Sequence, residues 1–109
     1  MKLKKIKSKL QKLSNDLDLE TLSKEYLVVA LQAYQEDEPD EYAAHFGDHA
    51  PGSVKAELFK QSLVFYHILL EDHYIDTELR LTGKDNAEVG SYRLISDIDG
   101  NAVDDYLVL

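Results

Sequence analysis

Between Ile75 and Thr82 apolar and polar side chains alternate without a break: Ile75, Thr77, Leu79 and Leu81 against Asp76, Glu78, Arg80 and Thr82. A period of two marks a strand with one face buried and the other wet. Upstream of His73 the apolar residues instead recur every three or four positions, the period of a helix. A chain whose period changes once, from helical to extended, keeps its helices and strands apart. The expected class is therefore α+β, with the helices packed on one face of an antiparallel sheet.

The pattern predicts about three main helices followed by a three-stranded β-meander, in one domain over residues 1–109. Leu3, Ile6, Leu10, Leu13 and Leu17 form an apolar stripe among lysines, which predicts a basic amphipathic helix over 1–14. Ser14-Asn15-Asp16 offers caps for a second helix from Leu19 to about Tyr34. Leu19, Leu22, Tyr26, Val29, Ala30 and Ala33 line one of its faces. Leu27, Val28 and Leu31 make its middle apolar nearly all round, which places it at the centre of the core.

Pro39 opens a short helix that should end at Gly47. Ser53 would cap a third long helix from Val54 to Leu70, with Val54, Leu58, Phe59, Ser62, Leu63, Phe65, Tyr66, Leu69 and Leu70 as its apolar face. That completes a helical core over 19–71. The meander over 73–109 starts with the alternating strand. It continues through a turn at Gly83-Lys84-Asp85-Asn86 and a strand from Glu88 to Ile98 with a bulge at Gly90. A hairpin at Asp99-Gly100 then leads to a last strand from Ala102 to Leu109.

Charge and composition narrow the function classes. Lys2, Lys4, Lys5, Lys7, Lys9 and Lys12 stand in the first thirteen residues with no acid among them. The other 96 residues hold all 21 acids against six basic residues, a balance of −15. A body of that charge repels nucleic acid and anionic membrane, so neither is expected as a partner. A basic protein is. The N-terminal stripe should pack its leucines on another helix while Lys2, Lys4, Lys5 and Lys9 face acidic surface.

There is no cysteine, which excludes disulfides, thiolate metal sites and cysteine nucleophiles and fits a reducing compartment. The runs Tyr26–Leu31 and Leu63–Leu70 are too short to span a bilayer, and no signal peptide is visible, so a cytoplasmic location is expected.

Few segments carry the spacing of a known chemistry. Leu94-Ile95-Ser96-Asp97-Ile98-Asp99-Gly100-Asn101 resembles the first motif of haloacid-dehalogenase-type phosphotransferases, in which the two aspartates would serve as nucleophile and general acid. That motif opens a large parallel-sheet domain, which a terminal meander does not supply. The same stretch resembles the start of an EF-hand loop, with Asp97, Asp99, Asn101 and Asp105 in ligand positions. Ala102 replaces the required glycine and Val108 the bidentate glutamate. A hairpin turn accounts for both.

His45 and His49 lie four apart, and His67, Glu71 and His73 cluster further on, with Tyr66 beside them. Imidazole and carboxylate together ligate zinc or iron, so these residues are the candidates for a divalent metal or small ligand. No resident cofactor is expected. There is no nucleophile elbow and no glycine-rich phosphate loop.

The expected function is a small acidic protein-interaction module, an inhibitor or accessory protein without catalysis. The alternative is a small-molecule- or metal-binding α+β domain, enzymes included, with a pocket of His, Tyr and acidic residues. A homodimer is also expected. The last strand ends in exposed apolar residues and is read as a sheet edge, with Tyr106, Leu107 and Leu109 as contacts.

Overall fold

The computed structural model describes residues 18–65 and 73–109. Among them two helices, α1 (Leu19–Asp37) and α2 (Pro39–Phe46), precede four strands. The strands are β1 (Lys55–Phe65), β2 (His73–Thr82), β3 (Glu88–Asp97) and β4 (Ala102–Val108). They form one antiparallel meander in the order β1-β2-β3-β4. The class is α+β, and the sheet has four strands rather than three. The expected helix over 1–14 lies outside the described residues, as do residues 66–72.

The extra strand is a correction. Residues 55–65, expected to begin a helix running from Val54 to Leu70, are β1. The cause is a bulge. Ala56 and Leu58 pair with Leu81 and Leu79, then the register shifts between Leu58 and Lys60, and Gln61 and Leu63 pair with Thr77 and Ile75. The helix-facing set changes from even to odd numbers across Phe59. A period of two broken in phase brings apolar residues three and four apart, which imitates a helix.

In α1 the buried residues are Leu19, Ser23, Leu27 and Leu31, a stripe at spacing four. Tyr26 and Val29, expected on the buried face, are 41% and 63% exposed. The expectation that α1 lies at the centre of the core fails for the same reason. The helix covers one face of a single sheet, so its far side meets water.

Leu27, Leu31, Tyr42, Phe46, Leu79, Leu81, Tyr92 and Leu94 make one core cluster. Each such side chain contributes about 1.5–3 kcal/mol on burial. Pro39 starts α2, and Gly47 at φ 60 ends it as expected. The Tyr42 ring packs on Phe46 at 5.0 Å, and its hydroxyl donates to the His49 carbonyl at 2.7 Å.

Two glycines are required by close approach. A Cβ on Gly83 would meet the His45 carbonyl oxygen, and one on Gly90 the Val108 carbonyl oxygen. Beside Gly90 the β2–β3 register skips Val89, so the bulge lies one residue before the expected place. Among the described residues no helix is long and apolar enough to cross a membrane.

Candidate functional site

Register assigns the two faces of the sheet. Leu79 pairs with Tyr92 and Thr77 with Leu94, and these face the helices. Leu107 and Asp105 pair with Tyr92 and Leu94, so they share that face at the β4 edge. Tyr92 is fully buried, and its hydroxyl donates to Asp105 Oδ2 at 2.7 Å. Burial, then the bond to and charge of Asp105, push the Tyr92 pKa well above its ordinary value. The phenol is a permanent donor.

Asp104 accepts the Asp105 backbone N–H and the Tyr106 hydroxyl, both at 2.8 Å. Both carboxylates are exposed and bonded only to neutral donors; neither has a cationic partner among the described residues. Asp105 borders an open groove of about 210 Å³ between α1 and β4, lined also by Tyr26, Leu94, Ala102, Val103 and Asp104; Asp104 pairs with Ile95, so its side chain belongs to the opposite face.

On the other sheet face two arginines hold acids. Asp76, only 8% exposed, is held by Arg93: Nε donates at 3.2 and 3.1 Å to the two carboxylate oxygens, and Nη2 donates to Oδ2. The Asp76 hydrogen bonds hold the Arg93 guanidinium above its usual pKa. Arg80 donates to Glu88 at 2.5 Å, lies 3.8 Å from Glu78, and stacks 3.7 Å over the Phe59 ring. Arg93 sits 5.5 Å from the Tyr106 ring.

The histidines do not come together. His45 is on α2, its ring 6.5 Å from Tyr34 and 6.2 Å from Phe46. His49 follows α2 and borders an opening of about 390 Å³ with Phe46, Gly47, Asp48, Lys84 and Asp85. His73 begins β2, whose other end adjoins Gly83 beside His45. At about 3.3 Å per strand residue that is roughly 30 Å away. Tyr66, His67 and Glu71 lie outside the described residues. Among the described residues no group of three or more His, Asp and Glu side chains could hold a metal ion.

At the β3–β4 turn, Asp97 Oδ1 accepts the N–H groups of Asp99 and Asn101 at 2.9 Å, and Oδ2 accepts Asn101 Nδ2 at 3.1 Å. The Asn101 bonds foremost hold the Asp97 carboxyl below its ordinary pKa. The oxygens that suggested a nucleophile or calcium ligand are spent on the turn itself.

Of the expected contact residues, Tyr106 is 46% and Leu109 38% exposed, whereas Leu107 packs against the core. Lys2, Lys4, Lys5 and Lys9 lie outside the described residues. Sequence reasoning assigned no role to the groove that Tyr26 and Asp105 line. Its one sequence signal is the adjacent pair of acids interrupting the last strand. A scan against protein-family models and searches of curated proteins and of solved structures found no match to this chain.

Proposed function

We propose that the chain is a small acidic protein-interaction module, of the inhibitor or accessory kind, which acts by binding a basic partner rather than by catalysis. The observation that carries this reading is unneutralised negative charge on structured surface. Glu36, Asp37, Glu38, Asp40 and Glu41 at the α1–α2 corner, with Asp104 and Asp105 on β4, are all exposed. None forms an ion pair among the described residues. Like charge held on a rigid scaffold speeds encounter with a partner of opposite sign and rejects partners of the same sign.

The test is capture from a cell lysate at low and moderate salt by immobilised wild-type chain and by a variant carrying Glu36→Gln, Asp37→Asn, Glu38→Gln, Asp104→Asn and Asp105→Asn. A basic protein retained by wild type at both salts, and lost from the variant, supports the reading. Retention of nothing at either salt removes it.

The second reading, a small-molecule or metal site, draws on the opening beside His49, where Asp48, Lys84 and Asp85 also stand. Elemental analysis and a thermal-shift screen test it, since a ligand at 100 times its Kd stabilises by about 2.7 kcal/mol. One equivalent of bound metal, or such a shift abolished by His49→Ala, would favour this reading over the first.

A further inference from the structure

On the open sheet face Arg93 holds Asp76 and Arg80 holds Glu88, and the Asp97 carboxylate is occupied by its own turn. The groove between α1 and β4 is different. The Asp105 carboxylate that faces it has no cationic partner among the described residues, and the strand that carries it ends the sheet order. We propose that this groove receives the cationic side chain of an extended basic segment of a partner protein, which adds to the sheet beside β4. The proposal rests on the interaction reading above and assigns it a contact site and a chemistry.

Three features of the groove select that occupant. Its wall of Tyr26, Leu94, Ala102 and Val103 suits the aliphatic stem of lysine or arginine. The exposed Tyr26 ring offers a π face, and Asp105, on the helix side of β4, offers a charge-assisted acceptor for the head group. At about 210 Å³ the groove is smaller than the pockets that enclose whole metabolites, and its size suits one long side chain.

Its position supplies the rest. A terminal strand of a sheet accepts an incoming strand by main-chain hydrogen bonds, and side-chain pockets along it set the specificity. A second copy of this chain pairing β4 with β4 would bring Asp104 and Asp105 against their own counterparts. Like charges facing across paired strands destabilise. The occupant the edge selects is therefore basic.

The experiment titrates the full chain with a capped seven-residue peptide alternating lysine with valine, followed by calorimetry at low and physiological salt. Saturable one-to-one binding is expected. Asp104→Asn with Asp105→Asn should weaken it about tenfold or more, and Tyr26→Ala several-fold. Glu57→Gln on β1, at the opposite edge of the sheet, should leave it within about twofold. Val103→Lys, a single exposed substitution that places a cation at the groove mouth, should abolish binding even if the double variant fails to fold.

Four results would overturn the proposal: no binding of the lysine peptide, equal binding of a glutamate-for-lysine peptide, equal binding of one N-methylated on alternate backbone nitrogens, or equal weakening by Glu57→Gln. A doubled mass in light scattering, with shifts in Tyr26 and β4 on dilution, would also overturn it by making a second copy the occupant. Lysate capture that survives Asp104→Asn and Asp105→Asn but fails with Glu36→Gln, Asp37→Asn and Glu38→Gln would refute the groove and leave the interaction reading standing.

Discussion

β1 and β4 are the two edges of one sheet, built from opposite materials. β1 is 11 residues long and carries both signs, with Lys55 and Glu57 paired at 3.2 Å and Lys60 beyond them. It exposes Leu58 at 40% and Phe59 at 50%, the latter beneath Arg80. β4 is 7 residues long and carries Asp104 and Asp105 with no cation against them among the described residues. Both edges carry a bulge, at Phe59 and at Val103; lysines further blunt β1, whereas shortness and like charge blunt β4. The two devices differ in what they exclude. A mixed-charge edge is compatible with a copy of itself, so a homodimer would pair through β1. A purely acidic edge rejects its own copy and accepts a basic strand.

Both edges hang on the strands between them, and the largest expected effect tests that dependence. Leu79 is fully buried between Leu58 of β1 and Tyr92 of β3. Leu79→Ala should cost about 2–5 kcal/mol in chemical denaturation, from lost contact and the cavity left behind. Amide exchange should quicken in β1 and β4 together. If one edge kept its protection, the edges would be separate units rather than two rims of one core.

Tyr92→Phe should cost about 1 kcal/mol through loss of the Asp105 bond, and quicken exchange in β4 while sparing β1. The same residue predicts an alkaline limit. Its folded pKa lies above the ordinary 10.0, so the native phenol keeps its proton at a pH where the unfolded one ionises. Stability should hold below about pH 10 and fall as pH rises beyond it. Tyr92→Phe should fall less steeply. An unchanged alkaline limb would remove Tyr92 from the account.

On β1 the corresponding polar contact is Arg80 over Phe59. Phe59→Leu should cost about 0.5–1 kcal/mol, typical of a cation–π pair near the surface, and leave β4 exchange unchanged. The smallest effect belongs to the turn that leads into β4. The folded pKa of Asp97 is lowered, so its contribution is present above the ordinary carboxylate value of 3.8 and is lost as pH falls through the folded one. Asp97→Ala should flatten the acid limb of a pH–stability curve. An identical acid limb in the variant would contradict the bonding seen at the turn.

The contrast between the edges also explains what the sequence revealed. β2 was legible because its alternation runs in one phase, and β3 and β4 because the turns Gly83-Lys84-Asp85-Asn86 and Asp99-Gly100 bound them, although bulges at Val89 and Val103 shift their phase near one end. β1 was not, because the bulge at Phe59 reverses its phase midway and leaves a helical spacing. In α1 the existence and start of the helix were legible, but its buried face was not. Tyr26 and Val29 are as apolar as Leu27 and Leu31, and only the presence of a single sheet on one side decides which are covered. The groove needed tertiary structure, since Tyr26 and Asp105 are far apart in sequence and line one groove only because α1 packs over β2 and β3 beside β4.

The most direct test of the claim that β4 is the receptive edge is an amide chemical-shift map of the full chain during titration with the lysine–valine peptide. The account predicts saturable shifts in residues 102–108 and at Tyr26, with β1 unmoved. Shifts centred on residues 55–65, or spread evenly over the exposed acids from Glu36 to Glu41, would contradict it.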